Sequence, residues 1–437
     1  MDTDGQNNGK PFMPVLSDAT VLYREDWKVR FVLVLGAMIL ITDALGGALR
    51  YYASQHNLEL ALYLPKLLVV IAALFPFAGF YSSDGTPFAN KPVFWVYYVL
   101  VFSIGVGVFN SVSPGAIAFM GLQLMPFILG LLITMPSGDH LRGIARFVMF
   151  LWVVTCLGIW ADYFIDFPWK GGLFEIYGST IELSRSWSTF GVERPAGFTR
   201  ISATAAFYVG ILGLMLMVFS RSFMARLGVV LATLATMAVT TTKSAVAAAV
   251  VVLIFRLLHR SPKIRIALFG AVMAAAIILP LSFPKADQEL PVDSDLSEQL
   301  FYSFNDRTSQ TWPYFVAAIQ HGVVGEGVGG VGTANMIAGG ALSRPSLNVA
   351  DSFPLYLMGW LGFAGGIAVF LWLGYSAYGF AVSGNKWKEA IGTAGLFILL
   401  VGITIDVIET VPGCILLGIM VRGVSGMDSV HSIDAPE

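Results

Sequence analysis

Long apolar runs that are almost free of charge limit what this chain can fold into more than any other feature. Of the 437 residues, 56% are hydrophobic and only 12% are charged, whereas about a quarter are charged in an ordinary soluble domain. A membrane-spanning helix needs about 20 apolar residues, so the chain has room for about a dozen spans and little else. The sequence therefore predicts an all-α polytopic membrane protein, with residues 1–437 forming a single integral membrane domain.

Twelve apolar windows are the predicted spans, with boundaries read from hydropathy. They lie at residues 30–48, 58–80, 92–109, 113–135, 144–165, 201–219, 227–241, 244–258, 264–283, 356–379, 389–405 and 409–421. Two long polar stretches, 166–200 and 284–350, interrupt the series, and short tails at 1–29 and 423–437 complete the chain.

Lysine and arginine positions predict the orientation, because cytoplasmic segments carry the excess of these residues. Sixteen fall on the segments that include both tails, nine fall on the other side, and Lys66 lies inside a span. Both tails are therefore predicted to be cytoplasmic, and both long loops are predicted to lie outside, where any chemistry should take place. The net charge of -2, without a dense basic tail, argues against a nucleic-acid partner.

The first long loop presents two arginines just before the chain re-enters the membrane. Arg194 is followed by Pro195 and Gly197, turn-forming residues that can fix the backbone and aim the side chain. The neighbouring Glu193 could orient it. Arg200 stands at the membrane border, where it could bind substrate or extend its side chain toward lipid headgroups.

The second long loop changes from acidic to aromatic at Arg307. The segment 312–319 that follows is apolar enough to lie along the membrane or to dock on the helix bundle. Arg307 is therefore expected to point into a cleft between loop and bundle, and the alternative is a salt bridge to the preceding acids. Lys243 lies with several hydroxyl residues at the outer end of two short spans, where binding an anion and extending toward headgroups are equally good interpretations.

Four acidic and basic residues lie within or next to the predicted spans. Asp43 and Lys66 lie at matched depths in the first two spans, so we expect them to form an ion pair, because an unpaired charge there costs several kcal/mol on most scales. Asp406 and Glu409 lie at the outer end of the penultimate span and are expected to be solvated.

Several stretches on the predicted outer side together resemble the bacterial family of O-antigen ligases and Wzy-type polysaccharide polymerases. They are Arg194-Pro-Ala-Gly-Phe, Thr241-Thr-Lys-Ser, Arg307 through Trp312, Gly325-Glu-Gly-Val-Gly, and Asp351-Ser-Phe-Pro-Leu-Tyr-Leu-Met-Gly-Trp-Leu-Gly. Each stretch is weak alone, but their order and sidedness are similar to the family pattern.

The resemblance implies a C-type glycosyltransferase fold with two long periplasmic loops, in the bacterial inner membrane. Arg194 and Arg307 would be functional arginines. The donor and the acceptor would be oligosaccharides linked to undecaprenyl pyrophosphate, and no cofactor or metal would be needed. Asp351 is the candidate carboxylate for the acceptor hydroxyl, with Glu193 and Glu326 behind it. Membrane lipid and a copolymerase that regulates chain length are further implied partners.

Two other classes of function stay open. Ligases of this family place a histidine near the position of Asn348 to Asp351, where this chain has none, which favours a polymerase over a ligase that transfers glycan to a lipid or protein. A transporter or flippase of lipid-linked sugar should carry cations inside several helices, whereas the cations here cluster on outer loops.

The predicted orientation can be tested with reporter fusions. Fusions after Ser184 and Pro291 should both read as exported, because both lie in loops on the cation-poor side. A cytoplasmic signal at either position would place the loop on the side where nucleotide sugars are available and would contradict a lipid-linked donor.

Overall fold

Helices make up almost all of the regular structure. The computed structural model describes residues 17–73, 91–133, 138–176, 179–189, 192–282, 304–338 and 344–423. Within these ranges five helices are long and apolar enough to cross a membrane, or six if one bent pair is a single span. The prediction of a helical membrane protein is thus confirmed, apart from two short hairpins, and the count of twelve spans stays a prediction.

The chain up to the first long loop forms six helices in its described residues. They are α1 (Ser17–Ala44), α2 (Gly46–Ser54), α3 (Leu64–Ala73), α4 (Lys91–Phe109), α5 (Pro114–Leu132) and α6 (Gly138–Phe164). A 3-10 turn, Glu59–Tyr63, leads directly into α3.

The predicted first span, 30–48, is wrong in its outer part. The helix breaks at Leu45, and α2 leaves α1 at an angle of 80°. Gly47 then packs against the end of the first long loop: its N–H donates to the Phe198 carbonyl at 2.8 Å, and a Cβ there would lie 2.6 Å from the Thr199 carbonyl oxygen. The break therefore places α2 beside the first loop instead of extending the span.

Two small antiparallel hairpins lie in the first long loop. Strand β1 (Leu173–Ile176) pairs with β2 (Ser179–Glu182), so that Leu173 lies opposite Glu182. Strand β3 (Ser188–Thr189) pairs with β4 (Val192–Glu193). The second hairpin ends immediately before Arg194, so its pairing helps to set where that arginine begins its turn.

The remaining described residues form ten more helices. They are α7 (Ser202–Phe219), α8 (Phe223–Val239), α9 (Lys243–Leu257), α10 (Pro262–Leu281), α11 (Trp312–Ala318), α12 (Thr333–Ala338), α13 (Phe353–Leu361), α14 (Phe363–Ala381), α15 (Lys386–Val401) and α16 (Val411–Gly423). A π-helical turn, Arg307–Thr311, precedes α11. In α11, Trp312 and Phe315 are fully buried, so the segment docks on the bundle, which is one of the two predicted outcomes.

The predicted span at 356–379 is also broken. Gly362 separates α13 from α14 with a φ of +80°, a left-handed conformation that favours glycine. A Cβ at Gly362 would lie 2.2 Å from the Val323 carbonyl oxygen. Hydropathy could not reveal this break, because the residues on both sides are equally apolar.

Helices α7, α15 and α16 form the centre of the bundle. Every residue from Val411 to Val421 of α16 is buried. Glycines let α16 cross α5 at close range, since a Cβ at Gly418 would lie 2.2 Å from the Phe127 carbonyl oxygen and one at Gly130 would meet Ile415 equally closely. Small residues commonly allow such close approach between membrane helices.

Segments that were predicted on the same side of the membrane lie together. At the predicted inner ends, Arg256 of α9 and Glu389 of α15 form an ion pair at 3.3 Å. At the predicted outer ends, Gly47 contacts Phe198. These two contacts agree with the predicted map, and the inside-to-outside assignment stays a prediction.

The expected ion pair between Asp43 and Lys66 is wrong in its detail. The two charges attract each other, but no nitrogen and oxygen of the pair lie within 4.0 Å. Tyr208 of α7 is instead the direct partner, and its hydroxyl donates to the Asp43 carboxylate at 2.9 Å. The reason is the early end of α1, which places Asp43 in the last turn of the helix, against α7.

Candidate functional site

The turn that carries Arg194 is fixed to the bundle by a buried carboxylate. Asp162, near the end of α6, accepts hydrogen bonds from the backbone N–H groups of Ala196 at 2.8 Å and Gly197 at 2.9 Å. The Trp169 indole donates to the Gly197 carbonyl at 3.1 Å. Three hydrogen bonds therefore fix the position of this backbone next to Arg194.

Gly197 is required by the geometry of this turn. Its φ is +62°, and a Cβ there would lie 2.8 Å from the backbone of Gly158 and Ile159 in α6. The expectation that a glycine fixes the bend after Arg194 is therefore supported by both the conformation and the close approach.

Glu193 does not orient Arg194, contrary to the expectation. Its carboxylate pairs with the Lys170 ammonium at 2.9 Å, and the same ammonium lies 3.4 Å from Asp162. The hairpin of β3 and β4 accounts for the difference, because consecutive strand residues point to opposite faces. Glu193 thus helps to hold the first loop, and this position argues against a role as a catalytic base.

The Arg194 guanidinium lies over the ring of Trp187, with its central carbon 5.7 Å from the ring centroid. Its Nε is buried and has no hydrogen-bond partner. Burial lowers the pKa of Arg194, and repulsion from Arg307 lowers that pKa further. The two arginines that the sequence placed in separate loops are therefore near enough to repel each other.

Arg307 begins the π-helical turn of the second loop and forms an ion pair with Asp351. Its Nε lies 3.2 Å from the Asp351 Oδ2, and the arginine side chain is 18% exposed. Asp351 has a φ of +45°, which is uncommon for a residue other than glycine. The Trp312 indole donates to the Asp351 carbonyl at 3.3 Å, so the strained backbone is held from a second direction.

The electrostatic surroundings of Asp351 favour a carboxyl that can accept a proton. Burial raises the pKa of Asp351 above its ordinary value of 3.8, and the attraction of Arg307 offsets only part of that rise. A general base works best when its pKa approaches the operating pH. The raised pKa of Asp351 is therefore a shift in the direction that a general base needs.

Asp406 and Glu409 were expected to be solvated, but both are partly buried and accept hydrogen bonds from the second loop. Asp406 accepts hydrogen bonds from the backbone N–H groups of Asp351 at 3.3 Å and Ser352 at 3.1 Å. Glu409 accepts one from the Thr333 N–H at 2.7 Å and another from the Thr333 hydroxyl. Burial raises the pKa of Asp406 well above its ordinary value, and the nearby Glu409 adds to that rise. These two acids hold the second loop as Asp162 holds the first.

The position of Glu326 argues against its predicted role as a base or substrate ligand. Its side chain is fully buried and accepts hydrogen bonds from the Gln320 N–H at 2.9 Å, from the His321 backbone N–H at 3.3 Å and from Arg344, while the His321 Nδ1 lies 3.1 Å from its second oxygen. Burial alone would raise the pKa of Glu326, but the hydrogen bonds from Arg344 and His321 lower it. A carboxylate so fully engaged favours a structural role.

The two remaining candidates lie on other elements. Arg200 precedes α7 and donates through one terminal nitrogen to the Glu182 carbonyl at 3.1 Å. Lys243 begins α9 and is exposed, and its substrate-binding role stays a prediction. Among the residues that the structure describes, no group of three or more His, Cys, Asp or Glu side chains could hold a metal ion.

Comparisons with known proteins add no identification. No protein-family model matches the chain, and no curated protein gives a significant sequence match.

The role of Asp162 predicts a strong effect on stability. Asp162→Ala strands two buried N–H groups and leaves Lys170 without its buried partner, which should destabilise the fold by about 2 kcal/mol or more. Glu193→Ala is the matched control: this carboxylate is 51% exposed, and such surface pairs contribute about 1 kcal/mol or less. Apparent melting temperatures in detergent would compare the two. Equal effects would show that Asp162 does not anchor the loop.

Proposed function

We propose that this protein is a Wzy-type polymerase of the bacterial inner membrane. It would join oligosaccharide repeat units linked to undecaprenyl pyrophosphate into a surface or secreted polysaccharide, on the periplasmic face. The observation that carries the proposal is the approach of Arg194 and Arg307 from two separate loops, beside the Asp351 carboxyl. Resemblance to the family assigns function to the same two arginines.

Two neighbouring guanidiniums repel each other, and burial makes that repulsion stronger. An anion between them would offset it. A pyrophosphate suits the position, because guanidinium groups bind phosphate oxygens through two parallel hydrogen bonds and stay ionised at working pH. Asp351 neutralises part of the charge on Arg307. Arg194 contacts the Trp187 ring through its guanidinium, and its buried Nε has no acceptor among the residues that the structure describes.

The proposed reaction replaces one C–O bond with another. The hydroxyl oxygen of the acceptor sugar attacks the anomeric carbon of the donor glycan, and the bond from that carbon to the pyrophosphate oxygen breaks. The electron pair leaves with the pyrophosphate, where Arg194 and Arg307 stabilise the developing charge. The hydroxyl proton passes to Asp351, whose raised pKa suits it to accept one. The products are a longer lipid-linked glycan and a free lipid pyrophosphate.

A lipid-borne donor matches the surroundings of these residues. The two loops lie at the end of a bundle whose central helices are apolar and buried, and a polyprenyl lipid is soluble in the same bilayer. The acceptor is a second lipid-linked repeat unit. A chain-length-regulating copolymerase is the proposed protein partner.

Replacement of either arginine by lysine tests the proposal. Arg194→Lys and Arg307→Lys keep the charge but lose the fork that binds two oxygens, so each should slow polymer formation by about 10²-fold. Arg221→Lys, at an exposed position on the predicted inner side, is the matched control and should be neutral. The measurement is the rate at which the purified protein forms polymer, resolved by chain length, from lipid-linked repeat units alone.

The same assay separates a polymerase from a ligase, because a ligase needs a different acceptor. Normal polymer from both lysine variants, at normal protein levels, would contradict the proposed site. Product that forms only when another lipid or a protein acceptor is added would contradict the polymerase assignment.

A further inference from the structure

A second group of cations lies along the same end of the bundle as the Arg194 and Arg307 pair. Arg200 is close enough to Arg50 of α2 and to Arg185 for mutual repulsion. Arg185 and Arg194 lie over the same Trp187 ring, at 5.3 and 5.7 Å from its centroid. The second group therefore continues from the candidate site along one rim.

The bend after α1 builds this second group. A Cβ at Gly46 would lie 3.6 Å from the Arg200 Cγ, so the stem of Arg200 lies over the first turn of α2. Arg50 follows Gly46 by four residues and therefore shares its helix face. Arg50 therefore projects from the face of α2 that the Arg200 stem covers, and the two elements are joined by the Gly47 to Phe198 hydrogen bond.

The acids around this group leave it positively charged. Arg200 donates to the carbonyl of Glu182, not to its carboxylate, and that carboxylate pairs with Arg185 at 3.3 Å. The Arg200 Nε is buried without a hydrogen-bond partner. Asp43 attracts Lys66, Arg50 and Arg200, so a single negative charge faces three cations.

The pKa of Arg200 reflects this excess of positive charge. Burial lowers the pKa of Arg200 to about 10, and repulsion from Arg50 contributes to that decrease. Lys66 lies within the same electrostatic field and is also repelled by Arg50 and Arg200. A bound anion would relieve the repulsion among all of these cations.

We propose that Arg50 and Arg200 bind the pyrophosphate of a second prenyl-linked substrate, the acceptor. This inference rests on the proposed function, because a polymerase must hold two lipid pyrophosphates at once. Arg194 and Arg307 take the one that leaves, and the acceptor pyrophosphate needs its own cations. Helix α2 carries Tyr51 and Tyr52, and tyrosines favour the depth of lipid headgroups, which is where a lipid-borne pyrophosphate lies.

Binding stoichiometry tests this second site directly. The full-length protein in phosphatidylcholine nanodiscs is titrated with farnesyl pyrophosphate, and bound ligand is counted by native mass spectrometry. The unaltered protein should bind two equivalents. Arg50→Gln and Arg200→Gln should each weaken one of them by about ten-fold or more, the loss expected for a charge-assisted contact. Arg221→Gln should retain both.

Further arms identify the ligand source. Inorganic pyrophosphate should bind the second site more weakly than farnesyl pyrophosphate, and phosphatidylglycerol in the nanodisc should not displace the prenyl ligand. Equal binding of inorganic pyrophosphate, displacement by phosphatidylglycerol, or two equivalents retained by both glutamine variants would each overturn the proposal. If Arg200→Gln fails to fold, Arg50→Gln and Arg50→Lys carry the test, because Arg50 is only partly buried in the middle of α2.

The first site is scored separately with Arg307→Gln. Loss of the other equivalent in this variant supports the proposed function, whatever the outcome at Arg50. Retention of both equivalents in Arg307→Gln would contradict the proposed donor site. The result at Arg50 and Arg200 would still decide whether the second site exists.

Discussion

Carboxylates that accept hydrogen bonds from backbone N–H groups hold both outer loops to the helix bundle. Asp162 holds the turn after Arg194, whereas Asp406 and Glu409 hold the backbone around Asp351 and the start of α12. Such bonds are stronger inside a protein than in water, because the local dielectric constant is low. Asp162 thus positions Arg194 through the main chain, and Asp406 positions Asp351, the ion-pair partner of Arg307.

This arrangement explains how two like charges remain close together in the folded protein. Repulsion between Arg194 and Arg307 opposes folding, and the loop contacts, the Trp187 ring and the Asp351 carboxylate offset it. Under the proposed function, this positive charge is in place before the pyrophosphate binds. Preorganised charge of this kind needs little rearrangement when negative charge develops on a leaving group, which is why it lowers a reaction barrier effectively.

Sequence features with a local cause were the ones that could be predicted. Apolar windows predicted a helical membrane protein, and the Pro and Gly after Arg194 predicted a fixed turn. The breaks at Leu45 and Gly362 could not be predicted, because hydropathy is the same for a straight and a broken helix. The anchoring roles of Asp162 and Asp406 could not be predicted either. An acid at a helix end has the same sequence pattern whether it binds water or a distant loop, and only the tertiary fold distinguishes the two.

A double-mutant cycle tests the central claim, that Arg194 and Arg307 act on one pyrophosphate, most directly. Polymerisation rates would be compared for Arg194→Lys, Arg307→Lys and the double variant, at equal protein levels. Residues that act as a unit are strongly non-additive, so the double variant should lose little more than the roughly 10²-fold of the worse single variant. A loss near the product of the two, about 10⁴-fold, would mean that the arginines act independently and would contradict the account.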